Sequence, residues 1–341
     1  MNKIVEMVNE EIFKRVALKV AKFPVGLDLA AKDFENKYQK SNHSNATTIV
    51  VVAGIPGVGK STFAKHLYNL RRPHFSRSSI LSEVRLQTEL RYLQEHLLRD
   101  LLHSQSLPWI SSISQGKQIL QQRLPRLPPV LVVLDDVDNI AQLESLLDVE
   151  SVASGSLILI TSSDQDLLRD SSVKTEVHVL KPLDKNYARE LFCLHAFSQS
   201  EPPEELKDLV EKFLNICGGL PLSLKVLGGL FVGCRDKVYW ERQLEKFSTM
   251  LPNSIKNTLK MSYEALDPKE KEVFLDIGCF LVGEAEELAI HVLEGLYEDN
   301  TIGECLQSLQ KKCLVGFCDR TRKMPSVDGR RKYYVRIVFL E

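Results

Sequence analysis

One glycine-rich segment constrains the fold of this 341-residue chain more than any other feature. It reads G-I-P-G-V-G-K-S from Gly54 to Ser61 and matches the pattern G-x-x-x-x-G-K-[S/T] without a break. A β-branched run, Thr48–Ala53, precedes it, and an amphipathic helical pattern follows it as far as Leu70. This order predicts a buried strand, a phosphate-binding loop (P-loop) and a helix, and it disfavours the alternative of a glycine-rich turn without function.

Each residue type in the loop has a physical reason to be there. Glycines let consecutive backbone N–H groups point at an anion, and the following helix adds the positive end of its dipole. Lys60 is predicted to contact the β- and γ-phosphates, Ser61 to bind Mg²⁺ and Thr62 to reach the α-phosphate. The nucleotide-binding residues predicted in this segment are Gly54, Ile55, Pro56, Gly57, Val58, Gly59, Lys60, Ser61 and Thr62.

A second apolar run ends in acidic residues. Val130–Leu134 predicts a buried strand, and Asp135 and Asp136 follow it directly. Because open α/β sheets bind ligands at the carboxyl ends of their strands, Asp135 is predicted to hold Mg²⁺, mostly through water. Asp136 is the predicted catalytic residue, which would orient or deprotonate an attacking water. The alternative, a strand followed by an Asx turn, is disfavoured by the P-loop upstream.

The remaining pattern predicts the fold class. A third apolar run at Leu157–Ile160 gives strands alternating with helices, which specifies an α/β domain with a parallel sheet. The second half of the chain is helical, with Asp184 capping one helix and Pro221 opening another. Asp267 heads a capping box before Phe274–Leu281, a segment that is apolar nearly all round and is expected to be buried.

Composition and charge restrict the partners and the cellular compartment that we expect for the protein. The formal net charge of −1 gives no chain-wide attraction to nucleic acid or to an anionic membrane. The N-terminal residues carry acids where a signal peptide needs bases, and Leu220–Val232, the longest apolar stretch, is too short to span a bilayer. Seven scattered cysteines without a C-x-x-C pair indicate a reducing compartment. The expected location is the cytoplasm, with the nucleus as the alternative.

Further motifs occur in a fixed order along the chain. They are F-P-V-G-L-D (Phe23–Asp28), S-I-L-S-E-V-R (Ser79–Arg85), L-F-C-L-H-A-F (Leu191–Phe197), G-G-L-P-L (Gly218–Leu222) and F-L-D-I-G-C-F-L (Phe274–Leu281). Together they resemble the NB-ARC nucleotide switch of plant intracellular immune receptors, a branch of the STAND ATPases. The acidic motif ends in Asp138 rather than tryptophan, which resembles the class that usually carries an N-terminal TIR domain.

The resemblance implies more than the motifs do by themselves. It places Val25 and Gly26 near the adenine, Pro221 against adenine and ribose, and ADP in a closed form that exchange for ATP would open for self-association. It also implies an N-terminal TIR domain and C-terminal leucine-rich repeats, and neither lies within these 341 residues. The expected domains are a linker helix at 1–23, a P-loop domain at 24–183, a helical subdomain at 184–250 and a winged-helix subdomain at 251–341, incomplete at its C-terminal end.

Two departures from the family pattern bear on activity. The third nucleotide strand of the family usually ends in an arginine that senses the γ-phosphate, and Ser163 stands at that place here. The family's Met-His-Asp motif, whose histidine contacts the β-phosphate of ADP, is absent, because the sequence ends at Glu341, about where that motif is expected. Either the product is truncated there or this contact has been lost. A phosphate-directed cation strengthens such a site considerably. We therefore expect weak discrimination of ATP from ADP or very slow hydrolysis, so the chain would be at most a weak Mg²⁺-dependent ATPase.

Two other functions fit parts of the sequence. One is a DNA-binding regulator, whose winged helix would use a basic cluster as its wing (Arg320, Arg322, Lys323, Arg330, Arg331 and Lys332). A solvated hairpin explains that cluster better in a nearly neutral chain, so nucleic acid is not an expected partner. The other is a metabolic or motor P-loop ATPase, which a fast turnover would distinguish from a switch.

Overall fold

The protein divides into two compact units. A computed structural model describes residues 17–41, 47–87, 89–102, 110–148, 152–168, 175–249, 263, 266–281, 284–297, 301–311, 314–319 and 333–337. The first unit comprises Met1–Val52, Ser61–Thr161 and Leu168–His178. The second comprises Ala53–Lys60, Ser162–Leu167 and Val179–Glu341, so it includes the P-loop.

The described helices and strands follow the expected order of an α/β region and then a helical one. They are α1 (Leu27–Ser41), β1 (Thr48–Ala53), α2 (Lys60–Arg71), β2 (Arg77–Leu81), α3 (Leu90–Leu102), α4 (Ile113–Arg123), β3 (Val130–Leu134), α5 (Ile140–Leu146), β4 (Leu157–Ser162), β5 (Thr175–Val179), α6 (Lys185–Phe197), α7 (Lys207–Cys217), α8 (Pro221–Gly229), α9 (Lys237–Thr249), α10 (Pro268–Asp276), α11 (Glu286–Tyr297), α12 (Ile302–Lys311), β6 (Val315–Asp319) and β7 (Tyr333–Ile337).

Five strands form a parallel sheet in the order β2-β3-β4-β1-β5. Across neighbouring strands Leu81 pairs with Leu134, and Leu134 pairs with Ile160. Every residue of β3 and β4 is buried, as is all of β1 after Thr48. Continuous apolar runs of this kind suit strands that are covered on both faces. The predicted fold class, a parallel P-loop α/β sheet followed by helices, is confirmed.

Some local predictions need correction. β4 is two residues longer than the run Leu157–Ile160, because Thr161 and Ser162 continue the strand in spite of their hydroxyl groups. β5 and α1 were not predicted; in β5 only His178 is buried, so the strand lacks a buried apolar run. The predicted linker helix at 1–23 is not helical over residues 17–23, and residues 1–16 lie outside the described part.

The helical segment of the second unit is organised around buried aromatic rings. Phe192, Phe213, Phe231 and Trp240 are fully buried, and Phe231 stacks on Trp240 with ring centroids 3.8 Å apart. Asp184 accepts hydrogen bonds from the backbone of Asn186 and Tyr187, which confirms the predicted cap of α6. Pro221 begins α8 as predicted, at a position where the missing N–H costs nothing.

The C-terminal helices contain one confirmed prediction and one that is wrong. Asp267 and Glu270 form the predicted capping box at the start of α10. The segment Phe274–Leu281 is not buried all round, because Leu275 is 50% exposed and Phe280 is 76% exposed. Residues 277–281 form a π-helical turn, whose wider spacing moves side chains off the stripe expected for an α-helix.

Two features at this end remain predictions. β6 and β7 pair as an antiparallel hairpin after α12, and whether this part is a winged helix stays a prediction. The basic cluster proposed as a wing lies outside the described residues. Among the helices that the structure describes, none is both long enough and apolar enough to cross a membrane.

The environment of His178 generates a prediction about stability. Its ring lies 5.5 Å from that of Phe63 and 5.4 Å from that of Phe34, and the side chain is buried. Burial lowers the pKa of His178, with a smaller contribution in the same direction from Lys37. A lowered pKa in the folded state means that protonation favours unfolding, so stability falls as the pH drops below the unfolded value of about 6.5.

We expect His178→Phe to reduce the loss of unfolding free energy between about pH 7.5 and about pH 5.5, because the substitution removes a buried base. Urea unfolding at both pH values measures the difference. The matched control is His74→Phe at an exposed histidine, which should keep the full pH dependence of the unsubstituted chain. Equal pH dependence in the two variants would contradict the prediction.

Candidate functional site

The glycine-rich loop is anchored by its own apolar residues. β1 ends at Ala53, the loop follows, and α2 begins at Lys60. Ile55 and Val58 are 2% and 3% exposed, and they pack with Leu220 and Leu180 in a small apolar cluster of the second unit. The positions that the loop pattern leaves free therefore carry side chains that fix the loop to its own unit.

The G-G-L-P-L motif lies directly on this loop. The backbone N–H of Leu222 donates to the carbonyl of Gly57 at 3.2 Å. Gly57 has φ +83°, and a Cβ there would lie 3.0 Å from Cβ of Leu222. Pro221 lies on the same side of the loop, with its Cγ 3.9 Å from the point where a Cβ of Gly59 would be. Two motifs separated by about 160 residues thus form one contact surface.

Lys60 directs its ammonium group toward oxygens of its own unit. Nζ donates to the carbonyls of Gly54 at 2.7 Å and Ile55 at 3.2 Å, and to Oγ of Ser163 at 3.1 Å. Lys60 is only 9% exposed. Ser163, which the sequence singled out only for a missing arginine, is therefore a neighbour of the predicted phosphate-binding lysine.

Thr161 was not predicted as a site residue, although it links both acids of the second motif. Its Oγ1 donates to Oδ1 of Asp135 at 2.6 Å and accepts from the backbone N–H of Asp136 at 2.8 Å. Asp135 is only 3% exposed, so this contact orients a buried carboxylate. The strand register indicates this contact. Because Leu134 pairs with Ile160, the residues that follow them, Asp135 and Thr161, lie opposite each other.

Asp136 is held by the turn after β2. It adopts the left-handed conformation with φ +60°. Its carbonyl accepts from the backbone N–H of Arg85 at 2.9 Å, and its Oδ2 pairs with Nε of the same arginine at 3.1 Å. About a third of each side chain is exposed, so the ion pair contributes at most about 1 kcal/mol. Arg85 orients Asp136 more than it stabilises the fold.

The other predicted residues lie at the starts of two helices. Ser61 and Thr62 are half-buried in the first turn of α2, which begins at Lys60. Val25 and Gly26 precede α1, and the carbonyl of Gly26 accepts from the N–H of Ala30 at 3.2 Å. The second unit thus brings Gly54–Lys60 together with Pro221 and Ser163. The first unit contains the remaining predicted residues (Val25, Gly26, Ser61, Thr62, Asp135 and Asp136).

The residues proposed for a metal fit Mg²⁺ in chemistry. Within the described part of the chain, no group of three or more His, Cys, Asp or Glu side chains could hold a metal ion. Mg²⁺ needs less from a protein, because it usually keeps several waters and takes one or two carboxylates together with substrate phosphates. The Ser61 hydroxyl and the oriented Asp135 carboxylate are the hard oxygen donors that this ion prefers.

The contact between Gly57 and Leu222 generates a matched pair of variants. Gly57 and Gly155 have φ +83° and +84°, so alanine at either position suffers the same left-handed strain of about 1–2 kcal/mol. Gly155→Ala should cost only that, because its nearest atom is the side-chain Cγ of Pro129 at 3.4 Å. Gly57→Ala must also displace Leu222, and we expect a total of about 2–4 kcal/mol. Urea unfolding tests this, and equal costs would contradict it.

Comparisons with known proteins agree with the motifs. Residues 31–201, just over half of the chain, match the NB-ARC domain family. The chain is 34% identical over 326 residues to disease resistance protein RPV1 of Vitis rotundifolia, covering 92% of this chain and 22% of that protein. It is 31% identical over 306 residues to TMV resistance protein N of Nicotiana glutinosa, covering 87% and 26%.

These alignments include most of this chain but only a small part of each relative. The chain spans about a quarter of the length of the relatives it matches, so each of them contains further domains. Among solved structures, the ORC2 protein of Aeropyrum pernix has a TM-score of 0.46 and 14% identity, covering 92% of this chain and 88% of that chain. A likeness of that size adds nothing to the fold that the strand order already shows.

Proposed function

The chain belongs to the NB-ARC domain family, and on that premise we propose that it is the ADP/ATP-binding switch of a plant intracellular immune receptor. The family and the P-loop together imply adenine nucleotide binding. The observation that carries the proposal is Lys60: its ammonium is buried at the junction of strand, glycine loop and helix, where a polyphosphate is bound in P-loop folds. The likeness to disease resistance proteins supports a role in defence signalling.

Each residue of the loop has a proposed part in binding. The backbone N–H groups of Gly54–Lys60 and the start of α2 would receive the phosphates, with Lys60 as the point charge for the β- and γ-phosphates. Ser61 and Asp135 would hold Mg²⁺, which neutralises phosphate charge when bound. Pro221, with Val25 and Gly26, would contact the adenosine. Support for the part of Pro221 is its position beside Gly59 of the loop.

The switch itself is a proposal about populations. The resting form would hold ADP, and exchange for ATP would favour a form that self-associates and brings signalling domains together. Inverting a strongly biased equilibrium requires ATP to prefer the second form by about 5 kcal/mol. Ser163 is neutral, so the family's γ-phosphate arginine, one source of that preference, is missing here. We infer that the switch is weakly biased.

Hydrolysis would be slow. Asp136 is the residue proposed to orient the attacking water, and its Oδ2 already pairs with Arg85. Part of its hydrogen-bonding capacity is therefore in use, which supports a weak ATPase at most. The DNA-binding alternative is not favoured, because the relatives are disease resistance proteins and the chain is nearly neutral. We place the protein in the cytoplasm, in keeping with the free thiols of Cys193 and Cys217.

Lys60→Ala tests the binding proposal. Loss of a charge-assisted hydrogen bond to phosphate should weaken ADP and ATP binding by about tenfold to hundredfold. Isothermal titration of the purified chain measures both affinities, and circular dichroism verifies the fold. Lys212→Ala on the exposed face of α7 is the control and should bind as the unsubstituted chain does. Unchanged ADP and ATP affinity in a folded Lys60→Ala protein would overturn the proposal.

Ser163→Arg tests the proposed weak bias. In the unsubstituted chain we expect ADP and ATP affinities within about tenfold of each other, since no arginine at position 163 distinguishes the γ-phosphate. The arginine should raise the ratio of ATP to ADP affinity by about tenfold or more, the effect of one charged hydrogen bond. Strong nucleotide selectivity with rapid turnover in the unsubstituted chain would show that the missing arginine is not needed.

A further inference from the structure

We propose that Ser163 is a positioning residue that holds the ammonium of Lys60 and competes with nucleotide phosphates for it. This inference rests on the proposed function, because it concerns the same loop. It assigns Ser163 a role of its own rather than the mere lack of an arginine. The serine would set how readily the loop accepts any nucleotide with a β-phosphate.

The oxygens around the ammonium of Lys60 come from two parts of the chain. Gly54 and Ile55, which supply two of them, are only six and five positions away in the chain, so the loop itself brings those carbonyls close. Ser163 is 103 positions away and reaches the ammonium from the segment that follows β4. Its hydroxyl is therefore an acceptor that lies beside the loop but belongs to a distant part of the sequence.

Hydrogen bonds on either side of Ser163 hold this residue in place. Its preceding residue, Ser162, accepts at Oγ from the backbone N–H of Asp164 at 3.1 Å. Asp164 in turn accepts at Oδ1 from the N–H of Asp166 at 2.9 Å. These two side-chain-to-backbone hydrogen bonds close consecutive turns, and the turns fix the path of the chain through Ser163. A hydroxyl on a fixed turn loses little entropy when it accepts from the lysine.

Ser163 and the nucleotide phosphates would compete for the ammonium of Lys60. A lysine ammonium has three donors, and its Nζ already donates to at least three protein oxygens, those of Gly54, Ile55 and Ser163. Donation to the β- and γ-phosphates requires at least one of these contacts to be given up. The contact to Ser163 is the one whose loss does not alter the backbone of the loop. Nucleotide binding would therefore break the Lys60–Ser163 hydrogen bond.

The cost of breaking the Lys60–Ser163 hydrogen bond should reduce the affinity for ADP and for ATP by the same factor. It arises at Lys60, which contacts the β-phosphate of both nucleotides, and it does not involve the γ-phosphate. AMP has no β-phosphate for Lys60 and should not be affected. This pattern distinguishes the role of Ser163 from that of an arginine at the same place, which would act on ATP alone.

Isothermal titration of Ser163→Ala with ADP, ATP and AMP tests the proposal. We expect the affinities for ADP and ATP to rise by the same factor, about tenfold or more for one hydrogen bond to a charged donor, while that for AMP stays unchanged. Ser163→Thr restores the hydroxyl and should return both affinities toward those of the unsubstituted chain. Ser154→Ala, at an exposed turn, is the control for the loss of a serine hydroxyl.

The outcomes are separable. A gain of affinity is not what a merely structural defect produces, so a rise for ADP and ATP alone supports the role. No change in ADP and ATP affinity, a rise for ATP alone, or an equal rise for AMP would overturn it while nucleotide binding itself stands. Failure of the unsubstituted chain to bind any nucleotide would instead overturn the proposed function. Ser163→Cys, a weaker acceptor of similar size, replaces the alanine variant if that variant does not fold.

Discussion

A buried ammonium group must be surrounded by acceptors, and this requirement governs the loop after β1. An unpaired charge in the interior costs several kcal/mol, and Lys60 avoids that cost through the carbonyls of Gly54 and Ile55 and the hydroxyl of Ser163. The carbonyls can turn inward only because the loop is tightly wound, and the winding is kept by Ile55 and Val58 in their apolar cluster. The charge and its apolar anchors therefore depend on each other.

The sequence predicted the centre of the fold well and its periphery poorly, for a physical reason. β1 and β3 agree with their predicted bounds because a strand covered on both faces is a short continuous run of apolar, β-branched residues, and here polar or glycine-rich segments bound it. β5 was missed because it buries only His178 completely. Phe280 was expected in the core, yet a π-helical turn leaves it 76% exposed, and residue periodicity cannot reveal such a turn.

The candidate site divides along a similar line. The identity of the loop residues follows from spacing, because phosphate binding demands glycine and lysine at fixed positions. Thr161, Arg85 and Leu222 could not be found in this way, since each acts through a contact that depends on the register of strands or on the packing of a distant helix. Ser163 shows the same limit: family likeness marks it as a lost cation, whereas the geometry shows an acceptor for Lys60.

The aromatic cluster of the helical segment gives the protein an optical signal of its own. Trp240 is one of two tryptophans in the chain; it stacks on Phe231, and its indole N–H donates to the carbonyl of Cys234 at 3.1 Å. A fully buried indole in apolar surroundings emits at shorter wavelength than one in water. Replacing the other tryptophan, Trp109, would leave a fluorophore that reports on α6–α9 alone, so the opening of these helices could be followed in real time without a label.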